Sequence, residues 1–428
     1  MKIAFYTLGC KVNQYETQVL REKFEQKGFC SVDENCDFDI IIINSCTVTA
    51  ESDRKTRQAL NRFRAKNPHA VIVLTGCMVQ AFSQEIRTLP ADVIVGNTSM
   101  ERIVELTERF LADGEPIFEV SPHERREKFN TPDISSFAER TRAYMKIEDG
   151  CDRYCTYCII PFARGFIRSK PLESIKNEAL ALSAKGFSEV VLVGINLTSY
   201  GKNEGMSICD AVEAVCSIDG IKRVRLGSLE PDHISDETLL RLSLLEKFCP
   251  QFHLSLQSGC DETLKRMNRH YDTAFYRDLV TRIKARFPNA AITTDIMVGF
   301  AGETEEEFET SLAFLKEIGF AKSHVFAYSR RAGTIAYNLK GQVTRAEKSR
   351  RSRIMMAAAA ECEQEFLSSL IGCDFPVLFE TFSDGKAFGY TPNYSRVFVE
   401  SEKDLSGLIK TVRITSAENG LCSGILVE

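Results

Sequence analysis

Two uninterrupted apolar runs, "DIIIINS" at 39–45 and "AVIVLTG" at 70–76, constrain this chain more than any other feature. A strand with one face in water alternates apolar and polar side chains. A strand without alternation is covered on both faces, as in a parallel sheet flanked by helices. "KIAFYTL" at 2–8 and "DVIVG" at 92–96 supply two more strands, with helices expected near 14–27 and 51–66. This rhythm predicts a doubly wound parallel α/β sheet over residues 1–112.

Residues 113–137 are rich in charge, Pro and Ser without periodicity, and read as a linker. From 138 to 371 a second series follows: "RAYMKIE", "EVVLVGI", "KRVRLGS", "QFHLSLQ", "AITTDIMVG" and "KSHVFAYS", with helical intervals between them. Six such units predict a partial (β/α)6 barrel rather than a closed eight. Thr304 and Glu307 form a capping-box pattern, and "RIMMAAAAECEQEFL" predicts a long helix at about 344–371. Residues 372–428 turn to short alternating strands, the texture of a small β-barrel of a kind that often binds oligonucleotides.

The net charge of −5 excludes a chain that is basic all over, so any nucleic-acid contact must come from a local patch. No apolar run approaches the ~20 residues of a membrane helix, and the first residues lack the features of a secretory signal. Fifteen cysteines in such a chain point to a reducing cytoplasm and to metal or catalytic chemistry rather than a disulfide framework.

Six of those cysteines form two sets. Cys151, Cys155 and Cys158, spaced C-x3-C-x2-C, follow the first strand of the second series, where a loop leaves the mouth of a barrel. Three thiolates can hold a 4Fe-4S cube and leave one iron open. A zinc knuckle is the competing reading; it wants a fourth ligand, and the nearest histidines in sequence are His123 and His233. Cys10, Cys46 and Cys77 are dispersed, but each ends a predicted parallel strand, at the edge where open α/β sheets bind ligands. The competing reading there is a small buried hydrophobe, which suits Cys209, Cys216, Cys249, Cys362 and Cys422.

With these motifs on the page, C-x3-C-x2-C with Tyr157 before the last cysteine resembles the signature of radical S-adenosylmethionine enzymes. The resemblance extends over nearly the whole chain to the methylthiotransferases, through "GCKVNQYET", "LTGCMVQ", "DGCDRYCTYCIIPFARG", "FHLSLQSGCDETLKRMNRHY" and "TTDIMVGFAGETEEEF". That family joins an N-terminal three-cysteine domain, a radical S-adenosylmethionine partial barrel and a C-terminal TRAM domain. "GCKVNQYE" is similar to the tRNA enzymes acting on N6-threonylcarbamoyladenosine; the isopentenyladenosine branch more usually reads GCQMN and the ribosomal-protein branch GCPKN. Ala301 departs from the family's usual Pro, a change in loop stiffness alone. Methylthiolation of isopentenyladenosine or of a ribosomal protein, and a non-catalytic RNA-binding metalloprotein, are the alternatives.

The resemblance implies two 4Fe-4S clusters, one on Cys151, Cys155 and Cys158 and an auxiliary one on Cys10, Cys46 and Cys77. It implies two molecules of S-adenosylmethionine per turnover, one giving a 5′-deoxyadenosyl radical and one a methyl group for an auxiliary sulfur. Contacts to S-adenosylmethionine are expected from Tyr157, Gly194, Asn196, Glu230, Ser255, Gln257, Asp295 and Gly299. The implied partners are the tRNA anticodon loop, an electron donor such as a flavodoxin and a sulfur source, with no membrane.

For RNA, the helix at 51–66 offers Arg54, Arg57 and Arg62, and the cluster loop is crowded by Arg140, Arg142, Lys146, Arg153, Arg164, Arg168 and Lys170. The tail from Cys373 carries five Lys/Arg against eight Asp/Glu, poor for gripping phosphates, which leaves two readings: recognition by Tyr394 and Arg396 through shape and stacking, or a folded module that mainly packs against the barrel.

Overall fold

A computed structural model describes residues 1–125, 127–134 and 141–427. Arg140 and the barrel boundary at residue 138 lie outside the described residues.

The N-terminal sheet contains β1 (Lys2–Thr7), β2 (Cys30–Ser31), β3 (Ile40–Ser45), β4 (Val71–Gly76), β5 (Val93–Val95) and β6 (Ile117–Glu119), all parallel, in the order β2-β1-β3-β4-β5-β6. Every residue of β3 and β4 is buried, as their unbroken apolar runs require. β6 lies inside the stretch expected to be linker. "IFE" is too short to show a period, and it is pairing with β5 that makes it a strand.

The central domain contains β7 (Arg142–Lys146), β8 (Glu148–Asp149), β9 (Arg168–Ser169), β10 (Glu189–Val193), β11 (Arg223–Leu226), β12 (Ser228–Leu229), β13 (Gln251–Leu254), β14 (Ala291–Val298) and β15 (Lys322–Ala327). β11-β10-β7 and β12-β13-β14-β15 are two parallel sheets, and Gly227 separates β11 from β12. Counting β11 and β12 as one interrupted strand leaves six staves of an open barrel. The antiparallel pair β8/β9 brackets the cysteine loop. The capping box forms as expected: Thr304 and Glu307 exchange bonds at the start of helix Glu305–Ile318.

The tail is a closed barrel of β16 (Asp374–Ser383), β17 (Lys386–Tyr390), β18 (Arg396–Glu400), β19 (Ile409–Glu418) and β20 (Leu421–Leu426), ordered β16-β17-β18-β20-β19.

Two helices join these bodies. Helix Lys11–Gln26 buries Leu20 and Phe24 in the N-terminal core but Val12, Tyr15 and Val19 in the barrel's. Helix Arg345–Ser369 likewise gives Met355, Ala358 and Cys362 to the barrel and Leu367 to the tail. Among the described residues no helix is long and apolar enough to cross a membrane.

Candidate active site

The order β2-β1-β3-β4-β5 reverses direction between β1 and β3, and ligands of such sheets bind beyond the carboxyl ends at that switch point. Cys10 follows β1, Cys46 follows β3 and Cys77 follows β4 there. The register, with Thr7 opposite Asn44 and Ser45 opposite Gly76, draws the three ends level. Gly9 lies so close to Cys46 that a Cβ on it would stand 3.2 Å from the Cys46 sulfur. Gly76, at φ +98°, turns the chain into helix Cys77–Ala81. A side chain there would press on the Ser45 backbone.

Asn13 ties the set together. Cys10 Sγ donates to its Oδ1 (3.3 Å), and its Nδ2 donates to Ser45 O (3.0 Å). The same Oδ1 accepts from Arg164 Nη2 (3.2 Å), whose Nε donates to Cys77 Sγ (3.1 Å). Burial pushes the Cys77 thiol up to about 12; Arg164 opposes this, and Cys46 and Cys10 add to it. Burial raises Cys10 as well. Such thiols need a strong Lewis acid to become thiolates, as a cluster provides.

The second set lies in the loop between β8 and β9. Cys158 N donates to Cys155 O (2.9 Å), and Cys151 N to Gly165 O (3.0 Å). Burial and the neighbouring Cys155 push Cys158 up to about 12. Arg269 Nη1 donates to Cys155 Sγ (3.2 Å) while its other nitrogens hold Glu230, Ser255 O (3.2 Å) and Tyr271 Oη (3.0 Å). Tyr157 packs edge-on against Phe300. Among the described residues no three His, Cys, Asp or Glu side chains gather closely enough to hold one ion. In a cube each thiolate binds a different iron, a wider arrangement than ligands around a single zinc at about 2.3 Å. His123 contacts Glu127 and Ala163 O, and His233 contacts Arg153 and Ser199, so both are engaged away from the thiols.

The structure sorts the other expected residues into groups. Glu230 and Ser255 surround Arg269. Gln257, at φ +69°, donates from its backbone to Asp295 O (2.9 Å), and Gly299 N donates to Glu303 (2.9 Å). Asp295 lies 3.4 Å from His253 Nε2. Gly194 and Asn196 surround Glu148, which no sequence motif singled out. Asn196 N donates to Glu148 Oε2 (2.7 Å), and a Cβ on Gly194 would stand 2.6 Å from that oxygen. Burial holds the Glu148 carboxyl well above the usual carboxylate range. Its Oε1 and the Asn196 Nδ2 are buried without hydrogen-bond partners. An orphaned donor and acceptor beside a cysteine loop fit the amino and carboxylate ends of S-adenosylmethionine.

The expected RNA surface needs correction around the cluster loop. Arg164 is fully buried: besides Cys77 and Asn13 it grips Glu16, which also pairs with Lys146 (2.7 Å). Arg168 is spent on Glu127 (3.0 Å) and Asp149 (3.2 Å), and Arg153 on Asp232 (2.7 Å). Lys170 is enclosed by Glu178 and Asp133. Arg142 pairs with Glu380 of the tail (2.6 Å). Arg164, Lys146 and Arg142 lock domains together, Arg153, Arg168 and Lys170 are held within the barrel or against the linker, and none of the six is free for phosphates. Arg54, Arg57 and Arg62 are exposed on helix Ala50–Lys66, Arg54 beside Glu51 and Arg62 over the Phe63 ring. Tyr394 stacks on Tyr390 (4.8 Å) between Arg142 and Arg225, while Arg396 is exposed.

A cavity of about 770 Å³ connects the three bodies, lined by Gly9–Val12, by Val193, Gly194, His253, Thr293 and Asp295 of the barrel, and by Tyr390 and Asn393–Arg396 of the tail. It is large enough for a nucleoside.

Residues 2–96 match the uncharacterized protein family UPF0004, and residues 145–315 match the radical SAM superfamily. The chain is 36% identical to the threonylcarbamoyladenosine tRNA methylthiotransferase MtaB of Bacillus subtilis, over 97% of this chain and 94% of that one. It is 37% identical to the protein of the same name from Aquifex aeolicus, over 91% and 97%. It is 33% identical to the tRNA-2-methylthio-N(6)-dimethylallyladenosine synthase of Pelotomaculum thermopropionicum, over 99% and 97%. The radical S-adenosylmethionine methyltransferase TsrM of Kitasatospora setae superposes with a TM-score of 0.59 at 13% identity, over 78% of this chain and 76% of that one, a likeness of fold alone. The chain belongs to the methylthiotransferase family of radical S-adenosylmethionine enzymes.

Proposed function

We propose that this chain inserts a methylthio group at carbon 2 of N6-threonylcarbamoyladenosine beside the tRNA anticodon. The observation that carries the reading is Arg164, which ends the helix following Cys158 and donates to Cys77 of the other set, holding two three-cysteine sites in one assembly. The names of the relatives at 36% and 37% identity support the nucleoside.

In this reading residues 1–112, with β6 added to their sheet, form the methylthiotransferase domain, the rest of 113–137 the linker, 138–371 the radical S-adenosylmethionine barrel and 372–428 a TRAM domain. Cys151, Cys155 and Cys158 hold one 4Fe-4S cluster, and Cys10, Cys46 and Cys77 a second. When bound, the clusters and two molecules of S-adenosylmethionine supply one-electron cleavage of an unactivated C–H bond and a sulfur to replace the hydrogen. A base acting by proton transfer could not open that position.

The chain's own residues bind and orient. Asn196 and Glu148 present the unpaired donor and acceptor for the methionine end, with Gly194 leaving the space. Glu230, Ser255, Gln257, Asp295, Gly299 and Tyr157 border the rest of the mouth. The cavity walls keep water from the reacting carbon. Arg54, Arg57, Arg62 and Arg396 stand where they can meet anticodon-loop phosphates, and Tyr394 helps fix the tail over the barrel. An electron donor such as a flavodoxin and a sulfur source complete the system, in the cytoplasm.

Mass spectrometry of tRNA nucleosides from a deletion strain tests this. The methylthiolated threonylcarbamoyl nucleoside should disappear and return on complementation. Its persistence, with loss of the isopentenyl counterpart or of a mark on a ribosomal protein, overturns the reading.

A further inference from the structure

We infer that Lys11 is the receptor for the carboxylate carried on the N6 substituent of the substrate, an assignment that rests on the reading above. Lys11 lines the cavity directly beside Cys10. The substituent of a base presented to Cys10, Cys46 and Cys77 would therefore fall within its reach.

Of the other cations at or near this cavity, Arg396 lies over the Phe388 ring at the exposed rim of the tail, far in sequence from the cysteines, and Lys322, Arg142 and Arg225 are committed. Lys322 pairs with Glu363 (3.1 Å), Asp295 faces His253 (3.4 Å), and Arg142 and Arg225 serve Glu380 and Glu189. Lys11 makes no ion pair or hydrogen bond among the described residues; its ammonium lies 5.9 Å from the Tyr144 ring, and Glu189, Arg142 and Arg225 act on it only from beyond contact distance. It also opens helix Lys11–Gln26, whose first turn carries no acidic side chain and whose N-cap makes no side-chain bond. A half-buried ammonium with no carboxylate in ion-pair contact, at the positive end of a sixteen-residue helix, is matched by one carboxylate.

The test uses anaerobically reconstituted protein and anticodon stem-loops bearing the threonylcarbamoyl group as free acid or as methyl ester, with affinities read by fluorescence anisotropy. The wild-type chain should prefer the acid by about tenfold to a hundredfold, the range of a charge-assisted hydrogen bond. Lys11→Gln should bring the ratio near one, and Lys11→Arg should keep most of it. Lys11→Met, which retains the methylene stem, serves if the glutamine variant fails to fold. A ratio preserved in either neutral variant overturns the assignment, as does a wild-type chain that prefers the modified stem-loop to unmodified adenosine yet binds acid and ester alike. A wild-type chain indifferent to the modification itself overturns the substrate reading as well.

Discussion

The two cysteine sets are assembled in opposite ways. Cys151, Cys155 and Cys158 fall within eight consecutive positions between the paired strands β8 and β9, and part of their geometry is local, as in the Cys158-to-Cys155 backbone bond. Cys10, Cys46 and Cys77 are brought level only by the register of three parallel strands, and an arginine from the other domain completes their surroundings. The first site needs a loop; the second needs a folded sheet docked against a barrel. Damage to the domain junction should therefore separate them.

The largest effect comes from removing a ligand on either side. Cys155→Ala should cut 5′-deoxyadenosine formation by more than about a thousandfold and leave about four of about eight irons, the count for two cubes. Cys46→Ala should lose a similar number of irons but continue to cleave S-adenosylmethionine without thiolating RNA. Iron analysis and chromatography of the nucleoside products measure both. Equal loss of cleavage in the two variants would erase the distinction between the sites.

Next is the junction. Arg164→Met leaves Glu16 with Lys146 as its remaining partner and removes the donor to Cys77. Breaking a buried pair costs about 3–5 kcal/mol, to be read from urea unfolding. The variant should load less iron at the dispersed set while the loop set keeps its share. Equal loss at both sites would make Arg164 a general stabiliser rather than a link.

This contrast also explains what could be read in advance. The loop set is visible as a spacing, and the dispersed set as three cysteines each following a strand, because strand order in a doubly wound sheet is nearly dictated by chain order. Arg164 was legible only as a basic residue near a cluster. Nothing local distinguishes an exposed arginine from one whose partner, Glu16, is 148 positions away. Glu148 was hidden likewise, since its importance lies in the unpartnered oxygen and in the approach of Gly194 and Asn196 from another strand. β6 was missed because three residues carry no period.

A smaller effect appears in acid. Burial works to raise the Glu16 and Asp149 carboxyls, but Arg164 and Lys146 at Glu16, and Lys146, Arg164 and Arg168 at Asp149, outweigh it and hold both below the usual range. Folded values below the unfolded ones mean that this stabilisation is complete above the unfolded pKa of about 4 and fades as pH falls through the depressed values. Melting temperature should drop below about pH 4, and Arg164→Met should flatten that dependence. An unchanged acid limb in the variant would show that other carboxyls govern it.

The smallest effect concerns the surface cations that remain free for RNA. Arg57 is exposed on helix Ala50–Lys66, so Arg57→Ala should change stability by no more than about 0.5 kcal/mol. If its guanidinium meets a phosphate, tRNA affinity should fall a few fold, and the slope of log affinity against log salt should become shallower by about 1. Arg168→Ala, at a side chain enclosed by Glu127 and Asp149, should leave that slope unaltered even where it lowers the melting temperature. A salt slope that responds to Arg168 and not to Arg57 would place the tRNA along the domain junction rather than along the helix, and would reverse the division drawn between buried and exposed cations.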